Sequence, residues 1–282
     1  MKRSLLAAAA IAAAVVGGRA ALADRIEELN DRHHFPTKER FFAKPGGGGG
    51  QNLVNHGGPV IHSALVVSIF WGPSWGTGGA DHATATHVTQ FFGQFGTSSH
   101  YAIITQYFDS AGSIHTANLG NTSWFDPSTP PTNVTDAALQ GEVLKYLSQS
   151  GATFDSSTIY EVFLPPSSYS SDGSATSCGG PNLRYCAYHG HFSNGGRDIK
   201  YSAMPYPSCG GCQSAGFTAA QNLDHFSCHE TREAVTDEDL NAWYDRRGAE
   251  ADDKCAWSPA PFIDNGFGYQ YEWSNAAGGC VR

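Results

Sequence analysis

Ala64-Leu65-Val66-Val67-Ser68-Ile69-Phe70-Trp71 is a near-continuous apolar run of strand length. A strand with one wet face alternates apolar with polar residues. An unbroken run is covered on both faces, so this stretch reads as the central strand of a layered sheet. Gly72-Pro73-Ser74-Trp75-Gly76 ends it. Asp81 to Phe95 then reads as a helix, with Val88, Phe91, Phe92 and Phe95 on one side. Ala102 to Phe108 is a strand candidate, and the Pro- and Asn-rich stretch 121–135 reads as loop. Thr135-Asp136 caps a helix through about Ser148 that carries Leu139, Val143, Leu144 and Leu147. Thr158 to Leu164 is the next strand, followed by a Ser/Gly loop over 165–181. Thr218-Ala219-Ala220-Gln221 is a capping box opening a helix through His229 to about Val235. Phe267 to Trp273 alternates as a late strand or hairpin arm. This order predicts one α/β or α+β layered domain, with a mixed, mostly buried sheet flanked by helices.

The chain has 282 residues, of which only 15% are charged, with 33 Gly, 12 Tyr, 16 Phe and 6 Trp. Such a composition suits a Gly-rich, aromatic-rich secreted protein and does not suit a disordered chain or a coiled coil. The formal charge of −9 argues against nucleic acid as a partner, because that affinity needs clustered Lys and Arg. Lys2 and Arg3, the apolar run Leu5 to Val16, and Ala21-Leu22-Ala23 read as a secretory signal peptide over 1–23. The run is too short for a membrane span, and no later segment reads as one. Residues 24–55 read as a flexible arm or propeptide. Pro45-Gly46-Gly47-Gly48-Gly49-Gly50 is its linker, the mature chain is expected to begin near Asn52 to His56, and the domain occupies 56–282.

Export changes the reading of the 7 cysteines, all at or beyond position 178. In an oxidising compartment they are bridges before they are free thiols. Spacing suggests Cys178 with Cys186, Cys209 with Cys212, and Cys255 with Cys280. Cys228, inside a helical pattern, is left over. Pro207 and the glycines of Cys209-Gly210-Gly211-Cys212 favour a loop disulfide over a redox pair or half of a four-cysteine zinc site.

His229-Glu230-Thr231-Arg232-Glu233 is the segment that points to chemistry. His229 and Glu233 stand one helical turn apart on one face, within reach of a single ion. The familiar metallopeptidase motif has His at both positions and the first Glu as general base. Zinc also accepts carboxylate oxygen, so Glu233 can replace the second His. Glu230 is then the general base. A third ligand is sought in Glu250-Ala251-Asp252-Asp253, from Glu250 or Asp253, with Asp237 as a weaker candidate. One His with two carboxylates is a hard donor set, so calcium or manganese remains open beside zinc. His189 reads first as a structural histidine in a tethered loop, with hydrogen bonding to a developing oxyanion as its alternative. Gly72-Pro73-Ser74-Trp75-Gly76 matches a nucleophile-elbow string but is followed by Thr77-Gly78-Gly79 rather than a helix.

Several segments together resemble the Exordium-like, or phosphate-induced protein, family of secreted proteins. They are His56-Gly57-Gly58-Pro59-Val60 with Trp71-Gly72-Pro73-Ser74-Trp75, Cys186-Ala187-Tyr188-His189-Gly190, and the Cys209/Cys212 pair. The others are His229-Glu230-x-x-Glu233, Asn241-Ala242-Trp243-Tyr244, Glu250-x-x-Asp253-x-Cys255, and Trp273-Ser274-Asn275 with Cys280. The resemblance covers about residues 56–282 in motif order. The short signal and Thr236-Asp237 look like its prokaryotic branch. Cys228 departs from the plant pattern, which has Gly there. The resemblance implies that His229, Glu230, Glu233, Glu250 and Asp253 form the functional site, and it implies no substrate.

The expectation is a zincin-like metallohydrolase, secreted to the extracellular space or periplasm, acting as a peptidase on a protein or peptide substrate. The competing expectation is a secreted, non-enzymatic binding or signalling protein.

Overall fold

In the computed structural model, residues 32–43 and 50–282 are described, and they belong to one unit spanning Arg32–Arg282. The signal peptide and most of the glycine linker expected from sequence lie outside these residues.

In chain order the elements begin with strand β1 (Arg32–Pro36), helix α1 (Lys38–Ala43), β2 (Val54–Asn55) and β3 (Leu65–Trp71). Helix α2 (His82–Phe95), the short α3 (Ser99–Ala102), β4 (Thr122–Asp126) and β5 (Asn133–Thr135) follow. Next come α4 (Asp136–Gln149), β6 (Thr158–Phe163), β7 (Tyr169–Ser171), β8 (Tyr185–Asn194) and β9 (Arg197–Met204). The long helix α5 (Ala219–Thr236) precedes β10 (Trp243–Tyr244), β11 (Phe262–Asp264), β12 (Phe267–Tyr269), β13 (Glu272–Ser274) and β14 (Gly279–Val281).

Six strands form the main sheet in the order β1-β8-β9-β6-β3-β4. β3 pairs in parallel with both β4 and β6, and β6 with β9, whereas β8 is antiparallel to β9 and β1 to β8. The sheet is thus mixed, with helices supplying the crossovers that parallel pairs require. Alternation along the strands feeds two cores. Val66 and Phe70 of β3 and Ile159 and Phe163 of β6 join Phe91, Phe95 and Phe226 on the α2/α5 side. Val67, Ile69, Tyr160 and Val162 join Leu139, Val143 and Tyr146 on the α4 side. Burial on both faces explains the unbroken apolar run at 64–71.

The structure corrects the sequence expectations at several points. Residues 102–106 are helical, not a strand, and Phe108 makes only an isolated bridge to Ser113: Ser98 caps α3 by accepting from the Tyr101 amide, and a 3-10 turn continues over Ile103–Gln106. Tyr101, Ile104 and Tyr107 are the fully buried residues there, and their helical spacing overrides β-branched propensity. The 121–135 stretch contains β4 and β5 rather than loop alone. The domain also starts earlier than His56, since β1 is an edge strand of the main sheet and Leu53 donates its amide to Asn275 Oδ1.

A further correction concerns disulfides. The bonds are Cys178–Cys209, Cys186–Cys212 and Cys255–Cys280. Cys209 and Cys212 flank one 3-10 turn that directs them to different upstream partners, so the nearest-neighbour pairing fails for both. Cys228 is free and buried, and burial pushes its thiol up to about 12. Titration with a disulfide reagent should therefore find no reactive thiol in the native protein and about one per chain after unfolding. A fast-reacting native thiol would contradict this placement.

Candidate metal centre

Helix α5 begins at the predicted capping box: Thr218 accepts from the Gln221 amide, and the Gln221 side chain accepts from the Thr218 amide. From Asn222 to Thr236 every residue of the helix is buried. A helix covered on all sides is usually apolar. This one carries acids, histidines and an arginine, each of which must find a partner. Asp224 takes a hydrogen bond from His87 Nε2 at 2.7 Å, and Thr231 donates to Glu161 Oε1 at 2.6 Å. Arg232 spans Asp252, Glu272 and the His100 carbonyl. His225 Nε2 donates to Gln270 Oε1 at 2.9 Å, and His229, Glu230 and Glu233 remain, converging on one cluster.

Several members of the cluster are anchored by one polar atom while another points inward. His229 Nδ1 donates to Gln270 Oε1 at 3.1 Å, leaving Nε2 as the lone-pair nitrogen, 3.1 Å from Glu233 Oε2. Gln270 is oriented by its own amide, which donates to the Asp252 carbonyl and to Asp252 Oδ1, each at 2.8 Å. Glu233 Oε1 accepts the Asp253 amide at 2.8 Å. His189 Nδ1 donates to Glu230 Oε2 at 3.0 Å, with His189 Nε2 3.8 Å from Glu250 Oε2. Asp253 Oδ1 lies 3.9 Å from His229 Nε2. The bond from His229 Nδ1 to Gln270 is of the kind that commonly holds the second ring nitrogen of a metal-binding histidine.

The residues expected from sequence, His229, Glu230, Glu233, Glu250 and Asp253, thus lie together. Asp237 does not serve the site, because its Oδ1 accepts the Asn241 and Ala242 amides at 2.5 Å and closes the end of α5. The segment carrying Glu250 and Asp253 is fixed at three points. The Asp245–Gly248 turn precedes it, Arg232 grips Asp252 within it, and the Cys255–Cys280 bond follows.

Two histidines join the cluster from strands. His189 sits mid-strand in β8 rather than in a loop, and is 1% exposed. Its sequence signal was Asn194-Gly195-Gly196. Both glycines have positive φ and close a two-residue hairpin between the paired Asn194 and Arg197. Recognising that hairpin turns 185–194 into a strand beside α5. His33 comes from β1, with Nε2 donating to Asp253 Oδ2 at 2.7 Å and Nδ1 3.2 Å from Glu250 Oε1. His33 and His189 are direct partners across the β1/β8 ladder. Nothing local in the sequence marks His33, since it precedes the glycine run and reaches the site only through sheet topology.

The electrostatics are those of acids and histidines crowded into one buried cluster. Burial, then the charges of Glu233 and Asp253, drive Glu230 well above the carboxylate range. Burial, then Glu233 and Asp237, do the same to Glu250. Burial, followed by the neighbouring His33 and His229, holds His189 well below its usual value. His229 is pulled down by burial but raised overall by Glu233. Glu161, behind the cluster, is pushed up to about 8 by burial.

A pH dependence follows. Glu161, Glu230 and Glu250 keep protons in the folded state that the unfolded chain has already released above pH 5, and His229 behaves in the same sense above pH 6.5. Each contributes stability that is lost as pH rises through its folded pKa. The depressed His189 adds nothing above pH 6.5, where the unfolded histidine is already neutral. The thermal midpoint of chelator-treated protein should therefore fall between pH 6.5 and 8. Saturating zinc should flatten that fall, because a bound cation replaces the protons at Glu230 and Glu250. A midpoint that rises over this range without metal would contradict the assignment.

Comparison with family models, curated proteins and solved structures finds no match to this chain.

Proposed function

We propose that the chain is a secreted metallohydrolase that cleaves peptides, and that its cluster holds a divalent cation, zinc before calcium or manganese. One observation carries this reading. His189 Nε2, Glu230 Oε1 and Glu250 Oε2 are buried in this one cluster without a hydrogen-bond partner, beside His229 Nε2 and Glu233 Oε2, which have only each other, 3.1 Å apart. Buried polar atoms are nearly always paired, so three orphans around one ion pair are the arrangement a central cation would satisfy. The groups His33, Glu233, Asp253 and His189, Glu230, Glu233 each bring donor atoms within 4.8 Å of one another; His229 is in neither and reaches them through Glu233 at 3.1 Å, and Glu250 through His189 at 3.8 Å. Imidazole nitrogen with carboxylate oxygen fits zinc, and the thiol of Cys228 is not among the donors.

His229, Glu233 and Glu250 or Asp253 are the proposed ligands. Zinc bound there would supply Lewis acidity to a carbonyl and acidify a water molecule. Glu230 is the proton acceptor. Its Oε2 is held by His189 and its Oε1 is unengaged, so that, once a bound cation has displaced its own proton, it can take a proton from water and return it to a leaving amine. Three disulfides suit an oxidising extracellular or periplasmic compartment. Among the described residues no helix is long and apolar enough to cross a membrane.

Hydrolysis of an unfolded protein substrate tests the reading. Activity should vanish on chelation and return with added zinc. A purified protein that retains full activity in chelator, or has none with zinc bound and the site open to substrate, would overturn it. The second reading, a non-enzymatic protein with a structural ion, draws on the complete burial of the cluster.

A further inference from the structure

The cluster is closed to any substrate as it stands. His229, Glu230 and Glu233 are 0% exposed, whereas the His33 side chain is 22% exposed. Solvent therefore meets the site on the side that His33 covers. The element carrying His33 is β1, a sheet-edge strand that the sequence places ahead of the glycine run. We propose that residues 32–43 form an intramolecular inhibitory strand, which occupies along β8 the groove of an extended peptide substrate and holds His33 across the mouth of the acid–histidine cluster. The proposal rests on the hydrolase reading and accounts for the burial that otherwise favours a structural ion.

The geometry of β1 is that of a bound peptide. It adds antiparallel to the edge of β8, with Arg32 opposite Gly190 and Phe35 opposite Ala187. Strand addition of this kind takes affinity from main-chain hydrogen bonds and specificity from alternate side chains. Alternation sends His33 and Phe35 to the site. His33 meets Glu250 and Asp253, and the Phe35 ring stacks on His229 with centroids 4.2 Å apart. Phe35 also stacks on Trp257 at 5.2 Å and is fully buried. Arg32 and His34 point the other way, Arg32 to Asp136 and His34 Nε2 to Asp172 Oδ2 at 2.9 Å. If β1 leaves, the exposed groove is the β8 edge with an aromatic-lined pocket two residues along from the cluster. The substrate class is thus an extended peptide with a large apolar side chain, aromatic by preference, at the position Phe35 holds.

The outward anchors provide a test that spares the cluster. In the full chain, Arg32→Ala with His34→Ala removes two clamps that touch neither His33 nor the site. Loosened by these changes, the strand should populate its open form roughly tenfold more. Amide hydrogen exchange over 185–190 should speed up by that factor with zinc content unchanged, and peptide hydrolysis should rise with it. A synthetic peptide of residues 32–43 should inhibit this variant competitively, and the same peptide carrying His33→Ala or Phe35→Ala should inhibit it less. If the double variant does not fold, the single variants Arg32→Ala and His34→Ala, each removing one outward anchor, should show the same changes in smaller measure. Faster exchange at β8 with zinc bound and no gain in hydrolysis would overturn the proposal. So would unchanged exchange at β8 with general loss of stability, which would make β1 an ordinary part of the fold. If no variant binds zinc or cuts peptide, the hydrolase reading fails by itself. Binding of the 32–43 peptide to the loosened variant then still decides whether β8 is a peptide groove.

Discussion

Glu230→Gln should lower the rate of peptide hydrolysis by about 10²–10⁴-fold, the usual cost of losing a general base. The fold and the bound metal should survive. Gln is nearly isosteric, and its amide oxygen can still accept from His189 Nδ1, which lies 3.0 Å from Glu230 Oε2. The amide cannot accept a proton from water. Glu233→Ala should fail differently, because Glu233 is proposed as a ligand and also accepts the Asp253 amide. Removing it should lose the metal and loosen the segment that carries Asp253. Rate, metal content and thermal midpoint measured together on both variants separate the two roles. A Glu230→Gln protein that loses metal as Glu233→Ala does would show that the roles are misassigned. One that keeps metal and full activity would place hydrolysis elsewhere.

The second large effect is on stability. Arg232 is fully buried and bound to Asp252 and Glu272, with its Nη1 3.1 Å from Glu272 Oε2 and 3.2 Å from the His100 carbonyl. Replacing a buried ion pair by apolar groups on both sides can be neutral, but removing one partner strands the other. Arg232→Met strands two carboxylates, so a loss of about 3–5 kcal/mol is expected. Burial already pushes Asp252 up to about 7 despite Arg232, so both acids should take up protons in the variant. Chemical denaturation at neutral pH measures this directly, and a loss below about 1 kcal/mol would mean that the network is solvent-accessible in solution. Asp252 lies between Glu250 and Asp253, so the same variant should also weaken metal binding.

The parts legible in the sequence are those set by local pattern. The strands at 65–71 and 158–163 are apolar because both faces are covered, and α5 announces itself by its capping box. His229, Glu230 and Glu233 could be grouped because helical spacing fixes their separation before any tertiary contact forms. Glu250 and Asp253 were reachable because they follow α5 closely. The illegible parts depend on pairing at a distance. Tyr101, Ile104 and Tyr107 form a helical face only against the core they bury into. Cys209 and Cys212 look like each other's partners until their turn is seen to separate them. His189 and His33 enter the site as neighbours across a β ladder that joins residues far apart in the chain.

Elemental analysis of the purified protein, under non-chelating conditions, tests the central claim most directly. The orphaned donor set predicts a tightly held divalent ion at about one per chain in the wild type. In Glu233→Ala that content should fall close to zero. A folded wild-type protein that carries no stoichiometric divalent ion, and takes up none on titration with zinc, would contradict the metal centre and the function built on it.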